Sequence, residues 1–570
     1  MADEQTNMQN PAYYLIKNAK IGSIVPVVEA LPYALEPVEY FSRLTGNGNK
    51  KNCILFESAD IVPKYGEKSL GSADPCLKII GKNENFEIIA LNDLGARFVD
   101  FLKNDFDFCD EVEYKKDRIK GKLESKKKFA SEEERLKQTN HADIIRKIAF
   151  KFKPALKTFT LSPYAGLFGC ISYDFIGQFE ELPKNKRDIT KDPDYALYFL
   201  DNLFLIDHKE NKTFFVANAL IMGGKHNAYE ECLSKIRDYK SIISKNIINK
   251  KAPLKKNFSA KVKIKSDTTK KEFIRLVKKL KEHITAGDVY QAVLSRTISA
   301  DFNKEPFDVY KKLRELNPSP YMFYVNMNNG DGVLLGASPE MCIKVEGGES
   351  KKVVNCEAIP SLRSKLFFAQ AFCESKKVVE IRPIAGTKPR GLIGNKLDID
   401  LDSRYETELK TDKKEISEHI MLVDLARNDI AKISKPGTRY VDEPFVVEKY
   451  SHVQHLVSNV RGILKDDLDA LHAYLATMNM GTLTGAPKIE AMGLLRIHEK
   501  TKRGFYGGAV CYITPGGELD SAIAIRSIRI KGSKAYIRAG AGIVHDSDPE
   551  SEFMETERKA YACLKAIELA

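Results

Sequence analysis

The 570-residue chain contains no apolar run approaching the length of a membrane span, so a transmembrane helix is not expected. Its opening residues, MADEQTNMQNPAYY, are polar and acidic and hold no apolar h-region. That argues against a secretory leader and for a cytoplasmic protein. No C-x-x-C pair occurs among the ten cysteines, which fits reduced, scattered thiols rather than a zinc site or a disulfide framework. No cysteine sits in a sharp turn flanked by glycine on both sides; Cys170 follows Gly169 in GLFGCISYD but has no glycine after it. A cysteine nucleophile elbow is therefore missing. So is a nucleotide-type phosphate loop: GTLTGAPK departs from G-x-x-x-x-G-K-[ST], and Pro487 removes an amide that such a cradle uses.

What is present is an ordinary folded composition, 43% hydrophobic and 29% charged. The net charge of +12 points to an anionic ligand or to nucleic acid. Its distribution weakens the second. Residues 111–160 carry 15 Lys and Arg against 8 Asp and Glu, mixed in sign and without interleaved aromatics. This reads as a solvated insertion at about 111–150. KKAPLKKNFSAKVKIKSDTTKKEF, from Lys250, reads as a basic linker between an N-terminal region, 1–250, and a C-terminal region, 251–570. The first region holds strand-like runs such as CILFESADI, FEIIALND and YALYFLDNLFLIDH. The second opens on a helix: Thr269 and Glu272 form a capping box, Phe273, Leu276, Val277, Leu280 and Ile284 share one face, and Gly287 ends it. VYQAVLSRTI follows as a buried strand. Helices and strands then alternate, which makes the class mixed, α+β.

Several groups could carry chemistry. In RPIAGTKPRG, Arg382, Lys388 and Arg390 supply charge, Gly386 lets a ligand approach the main chain and Thr387 offers a hydroxyl. That is equipment for an anion-binding loop, with a bare methyl, Ala385, at its middle. Two predicted helices each carry E-x-x-E on one face, Glu415 with Glu418 and Glu552 with Glu555, the second pair beside Lys559. Either face alone is an ordinary solvated stripe. Together they could converge, and four carboxylates then repel unless a hard cation such as Mg²⁺ sits among them. No histidine follows at i+3, which speaks against a di-iron site. Tyr506, Arg526 and the backbone at Gly540, Ala541 and Gly542 lie in strand-like runs and together make a carboxylate receptor. His455, alone in VQHLV, is by default a core histidine.

These stretches also carry a resemblance. NPSPYMFY, RPIAGTKPRG, LDSRYETELKTDKKEISEHIMLVDLARNDIAKI, KYSHVQHLVSNVRG, DALHAYLATMNMGTLTGAPK, YGGAVCYIT and RAGAGIVHDSDPESEFMETERK run almost unbroken from about Phe273 to the C-terminus. They resemble the chorismate-utilising enzymes, most nearly the large, chorismate-binding subunit (component I) of anthranilate synthase of the enteric bacterial type. LFESADI and GLFGCISYDFIGQFEELP extend the resemblance, more loosely, to the N-terminal region. It implies two large β-sheets packed as a sandwich with helices outside. It implies Mg²⁺ held by Glu418 and Glu555, with Glu415 and Glu552 acting through metal-bound water. Gly386, Thr387, Tyr506, Arg526, Gly540, Ala541, Gly542 and Lys559 would contact chorismate, and His455, with Thr482, would serve proton movement or the leaving hydroxyl.

Two positions bear on the reaction type. Aminodeoxychorismate synthases commonly carry a lysine nucleophile where this chain has Ala385. The water-adding isochorismate and salicylate synthases use a lysine base where it has Gln291, and a glutamine amide cannot deprotonate water. The resemblance therefore implies amination by ammonia, either complete to anthranilate or stopping at an aminated intermediate as in other chorismate aminases. With no cysteine elbow in the chain, ammonia would come from a separate glutamine amidotransferase subunit, component II, in a heterotetramer. A second site, for L-tryptophan as inhibitor, is implied at Glu57, Ser58, Lys68, Pro320, Tyr321 and Met322, with Phe56 where enteric relatives usually carry Leu. Finally, ESKKVV occurs at 349–354 and again at 374–379. The first copy completes a predicted hairpin after MCIKVEGG. Residues of about 351–375 therefore read as an insertion bounded by a duplication rather than as a repeat architecture.

Overall fold

The computed structural model describes residues 11–31, 35–59, 68–125, 131–156, 161–185, 187–223, 228–245, 263–327, 330–347, 376–394, 396–450 and 453–570. Two large sheets, of 13 strands each, dominate it. Pairing is antiparallel almost throughout, the short contact of Ser23–Leu31 with Lys153–Pro154 being parallel. Antiparallel sheets need one apolar face apiece. Here both find one against each other: Ile54, Leu70, Phe323 and Val325 of one sheet pack on Phe168, Cys170, Tyr198 and Leu200 of the other. Helices cover the outer faces. Pro37–Thr45, Ala228–Lys245 and Pro306–Leu316 lie over the first sheet, whose outer core includes Tyr40, Phe41, Phe307 and Tyr310. His141–Ala149, Ala470–Thr477 and Lys413–Ile433 lie over the second. The expected sandwich with helices outside is the fold.

The local reading of the C-terminal region holds well. The helix Lys270–Ala286 starts at Thr269, whose side chain accepts from the Glu272 amide, and stops at Gly287 in the left-handed region at φ 86°. Phe273, Leu276, Val277 and Leu280 are buried, and Gln291–Asp301 is a strand buried along most of its length. The last helix, Pro549–Leu569, is capped by Asp548 with proline in its first turn.

Three expectations change. The boundary near residue 250 does not separate the sheets. Cys53–Glu57 is hydrogen-bonded to Tyr321–Asn326 in one sheet, and Gly166–Ile171 to Ala509–Ile513 in the other. The basic linker at 246–262 lies outside the described residues. The segment at 111–150 is not a solvated insertion. Glu111–Tyr114 and Arg118–Lys122 form an edge of the second sheet, and His141–Ala149 buries Ile144, Ile145 and Ile148 fully. Its charges misled because they pair with the rest of the protein: Arg118 with Glu87 at 3.1 Å and Arg146 with Asp469 at 2.6 Å. The hairpin predicted over 341–354 is not the pairing seen: Met341–Gly347 pairs with Lys377–Ile381, which begins in the second copy of the repeated sequence. The first copy and the insertion to about residue 375 fall outside the described residues.

Deleting the buried side chain at Ile145 should therefore cost about 2–5 kcal/mol, whereas Lys116→Ala on the exposed turn should stay within about 0.5 kcal/mol. Urea unfolding of both variants measures this. Equal, small effects would restore the solvated reading of the segment.

Candidate active site

The two E-x-x-E helices do converge. Lys413–Ile433 and Pro549–Leu569 present Glu415, Glu418, Glu552 and Glu555 to a single cavity of about 770 Å³. The remaining walls come from the strands Ile384–Pro389, Gln291–Asp301 and Lys534–Ile543, the short helix Gly481–Thr484, and the turns at Tyr506 and Arg526. Of the residues singled out from the sequence, His455, Thr482, Gly386, Thr387, Tyr506, Arg526, Gly540, Gly542 and Lys559 line it as well.

Each helix is started by an aspartate. Asp412 accepts from the amides of Lys414 and Glu415 at 2.9 and 3.2 Å, and Asp548 from that of Ser551 at 2.8 Å. This places Glu415 and Glu552 in first turns, where the helix dipole favours negative charge. Burial nevertheless pushes the Glu415, Glu418 and Glu552 carboxyls above their ordinary range. Glu418 adds to the effect at Glu415, and Glu555 adds to it at Glu418 and Glu552. The basic groups on this wall are Lys414, Arg558 and Lys559. Lys559 stands 2.6 Å from Glu555, and Gln291 Nε2 donates to Glu418 at 3.1 Å. Among the described residues no group of three or more His, Cys, Asp or Glu is arranged to hold an ion alone. A paired-carboxylate oxygen set of this kind fits Mg²⁺, which keeps several waters and takes one or two protein carboxylates with the rest from substrate.

Opposite lies a cation without a counter-ion. Burial lowers the Arg526 pKa, and among the described residues no carboxylate or hydrogen-bond acceptor meets its guanidinium. Its own backbone is in the left-handed region, φ 48°. Tyr506 lies beside it with a hydroxyl pushed up to about 12 by burial. Gly540 brings the main chain close: a Cβ there would stand 3.2 Å from the Tyr506 hydroxyl, and Lys559 donates to the Gly540 carbonyl at 3.0 Å. A desolvated guanidinium beside a phenol and main-chain groups is a receptor for a carboxylate.

His455 is held in one tautomer. Its Nδ1 lies 3.1 Å from the Gly386 carbonyl, which can only accept, so Nδ1 carries the proton and Nε2 offers a lone pair. Thr387 Oγ1 shares the same nitrogen at 3.0 Å. Burial, with Arg526 nearby, lowers the His455 pKa and keeps the ring neutral. The contact depends on a bulge: pairing with Val453–Ile463 shifts between Ala385 and Thr387, and Gly386 sits in the shift at φ 65°. A Cβ at Gly386 would stand 2.7 Å from Leu409 and 2.9 Å from Glu415, so the glycine admits the acidic helix.

Some expectations need correcting. RPIAGTKPRG is a strand rather than a loop, and its cations are spent on internal pairs. Arg382 pairs with Glu448, Lys388 with Glu408 at 3.5 Å and Arg390 with Asp402 at 2.7 Å. Ala541 lies between the two site glycines on its strand; its methyl faces the other side and packs with Phe273, Leu294 and Ile543, while the expectation for it concerned its backbone only.

Glu340 was missed. It lines the cavity, and its buried carboxyl is pushed up to about 8, with Thr482 and Lys559 opposing the shift. The Thr482 hydroxyl is the side-chain hydrogen-bonding neighbour of the Glu340 carboxyl in this wall. A lone glutamate after Ser-Pro carries no periodic signal; only three-dimensional burial marks it.

The six residues expected to bind tryptophan are divided. Glu57 pairs with Met322 across the sheet and faces the helix Pro306–Leu316, where it accepts from Tyr310 at 2.8 Å and Arg314 at 2.6 Å. Ser58 and Tyr321, the next positions, alternate to the other face. The Ser58 amide donates to Ser69 Oγ, Tyr321 donates to Asp520 at 3.3 Å, and Lys68 donates to the Ser162 carbonyl. Pro320 and Tyr321 border a small cleft with Pro339 and Ile384, two residues that also line the large cavity.

Comparison with known proteins agrees with the cavity's chemistry. The chorismate binding enzyme family matches residues 108–355 and 365–565, its gap falling between the two copies of ESKKVV. Anthranilate synthase component 1 of Vibrio cholerae serotype O1 is 38% identical over 94% of this chain and 95% of its own length. That of Buchnera aphidicola subsp. Schizaphis graminum is 36% identical over 95% and 98%. Among solved structures, anthranilate synthase component I from Streptococcus pneumoniae TIGR4 superposes with a TM-score of 0.62 at 28% identity, covering 87% of this chain and 92% of that one. The menaquinone-specific isochorismate synthase MenF of Escherichia coli shares the fold, with a TM-score of 0.60 at 15% identity over 99% of each chain. With near full-length relatives above 30% identity and a family match spanning most of its residues, the chain belongs to the chorismate binding enzymes, in the anthranilate synthase component 1 family.

Proposed function

We propose that the chain is a lyase that converts chorismate and ammonia to anthranilate, pyruvate and water, the first step of tryptophan synthesis. The observation that carries this reading is that Ala385 and Gln291 both line the cavity. Neither a lysine nucleophile nor a lysine base stands at these positions, which leaves free ammonia as the group added. One substrate carboxylate would sit on Arg526, Tyr506 and the Gly540 and Gly542 backbone. The ring carboxylate would face Glu418 and Glu555 through Mg²⁺, which when bound supplies an electrophile and a template. Ammonia adds at C2 while the C4 hydroxyl leaves as water. Glu340, protonated below about pH 8, donates the proton to that hydroxyl. In the second stage the C2 proton is lost and the enolpyruvyl group leaves as pyruvate. His455 Nε2, unprotonated, accepts that proton, and Thr387 with the Gly386 carbonyl holds the ring for it.

In this reading Glu340→Gln keeps the shape and loses the acid. Its kcat should fall by about 10²–10⁴-fold, with KM for chorismate little changed. The wild-type kcat, measured at saturating free ammonia, should decline as pH rises through about 8; the residual rate of the variant should lack that limb. A near wild-type kcat, or a retained alkaline limb, would remove Glu340 from the mechanism.

The nitrogen source belongs to a partner subunit. The purified chain should form fluorescent anthranilate with chorismate, Mg²⁺ and ammonium, and none with glutamine as sole donor. Adding a glutamine amidotransferase subunit should confer glutamine use. Glutamine-dependent turnover by the chain alone, shown by mass spectrometry to be free of a second subunit, would refute the two-subunit reading. Absence of anthranilate with ammonium would refute the reaction itself.

Tryptophan inhibition is proposed at the Ser58–Tyr321 region. The cleft there shares Pro339 and Ile384 with the large cavity, which supplies a contact path between the two ligands. Ser58→Ala, on the Tyr321 face, and Met322→Thr, which alters the packing behind it on the Glu57 face, should weaken inhibition with little loss of the uninhibited rate. The chain contains no tryptophan, so the emission of added L-tryptophan also reports binding directly. Equal inhibition of wild type and both variants would count against the assignment.

A further inference from the structure

The C-terminal ends of two helices bring a pair of histidines together. His283 lies in the last turn of Lys270–Ala286, and His498 closes Lys488–His498. Their Nε2 atoms are 3.5 Å apart, while the ring centroids are 5.6 Å apart, so the two nitrogens point toward each other. The Nδ1 of His283 is 2.8 Å from Asp288 Oδ2. A carboxylate on Nδ1 fixes the proton there and turns Nε2 into the lone-pair side.

We propose that His283 and His498 form a binding site for a divalent transition-metal ion of the zinc or nickel class, separate from the carboxylate cavity. The spacing suits it. Two nitrogens about 2.0–2.1 Å from one ion and 3.5 Å from each other subtend roughly 115° at the metal, close to tetrahedral. Imidazole selects zinc, nickel and copper over the hard ions that carboxylates prefer. Asp288 completes a carboxylate–histidine–metal relay, which orients the ring. Both ligands sit at helix C-termini, where the dipoles favour positive charge. Both rings are partly exposed, so an ion can enter and water can fill the open positions; no third protein ligand joins the pair among the described residues. An ion here would tie two helix ends together next to Glu499, whose carboxylate anchors the Arg538 side of the cavity.

The test uses the purified full chain, stripped with chelator and then titrated with zinc chloride in excess magnesium chloride, which saturates oxygen-ligand sites. Wild type should take up one zinc per chain. His283→Gln and His498→Gln should each abolish this uptake, Asp288→Asn should weaken it about tenfold, and Glu418→Gln should leave it unchanged. Independently of any variant, zinc-soaked crystals should show an anomalous peak between the two rings. Zinc uptake that persists in both histidine variants, uptake lost in Glu418→Gln, a peak elsewhere, or no uptake by wild type would each overturn the site.

Discussion

The rest of the site depends on one electrostatic constraint: charges of both signs are held in one cavity, and apart from the Lys559–Glu555 pair they do not neutralise each other. Four carboxylates stand on two helices, and burial together with mutual repulsion raises three of them. Arg526 stands opposite, its pKa lowered by burial. If these groups were close enough to pair, the cavity would collapse onto an internal ion pair, as happens around Arg382, Arg390 and Asp402. Kept apart, each half is costly until a ligand of opposite charge arrives. A dicarboxylate ligand with a divalent cation would answer both halves.

Such an arrangement needs a rigid support, and the support is itself charged. Glu499 is fully enclosed. Burial alone would raise its carboxyl, but Arg503 and Arg538 outweigh burial and hold it below its ordinary value. Arg503 and Arg538 reach it at 2.7 and 2.8 Å, and the Ser295 amide at 2.9 Å. Arg538 lines the cavity, yet it is spent on this network and so differs from Arg526, which is not. Arg526 and Arg538 border the same cavity, and their partners alone tell the structural one from the one available to a ligand.

That difference marks the limit of what was legible in the sequence. Periodicity exposed the E-x-x-E faces, because i and i+3 share a helix side whatever surrounds them. The capping residue Thr269 located a helix start, because that bond is local. The cavity's content was also largely legible, since long motifs carried the resemblance. Partnering was not. Lys388 and Arg390 looked like ligand-binding cations and proved internal, because Glu408 and Asp402 lie on a helix whose placement only the fold decides. The 111–150 segment failed for the same reason: its charges count as solvated until Glu87 and Asp469 are brought to them. Glu340 stayed hidden because burial is not a property of S-P-E.

The same logic bears on Ala385 and Gln291. Gln291 donates its amide to Glu418, and its Oε1 has no partner among the described residues. A lysine at that position would put a positive charge among the carboxylates, partly neutralise the wall, and offer a base when deprotonated. A neutral amide steadies Glu418 while leaving its charge for a cation. Ala385, opposite Leu456 in its strand, is 6% exposed. A long amine there would have to project from the strand next to the bulge that sets His455, and would reach into the space left for a small nucleophile. Both positions thus withhold basic side chains from a cavity that elsewhere concentrates charge. In the proposed reaction the nucleophile comes from outside, and what the protein contributes at these two points is room and neutrality.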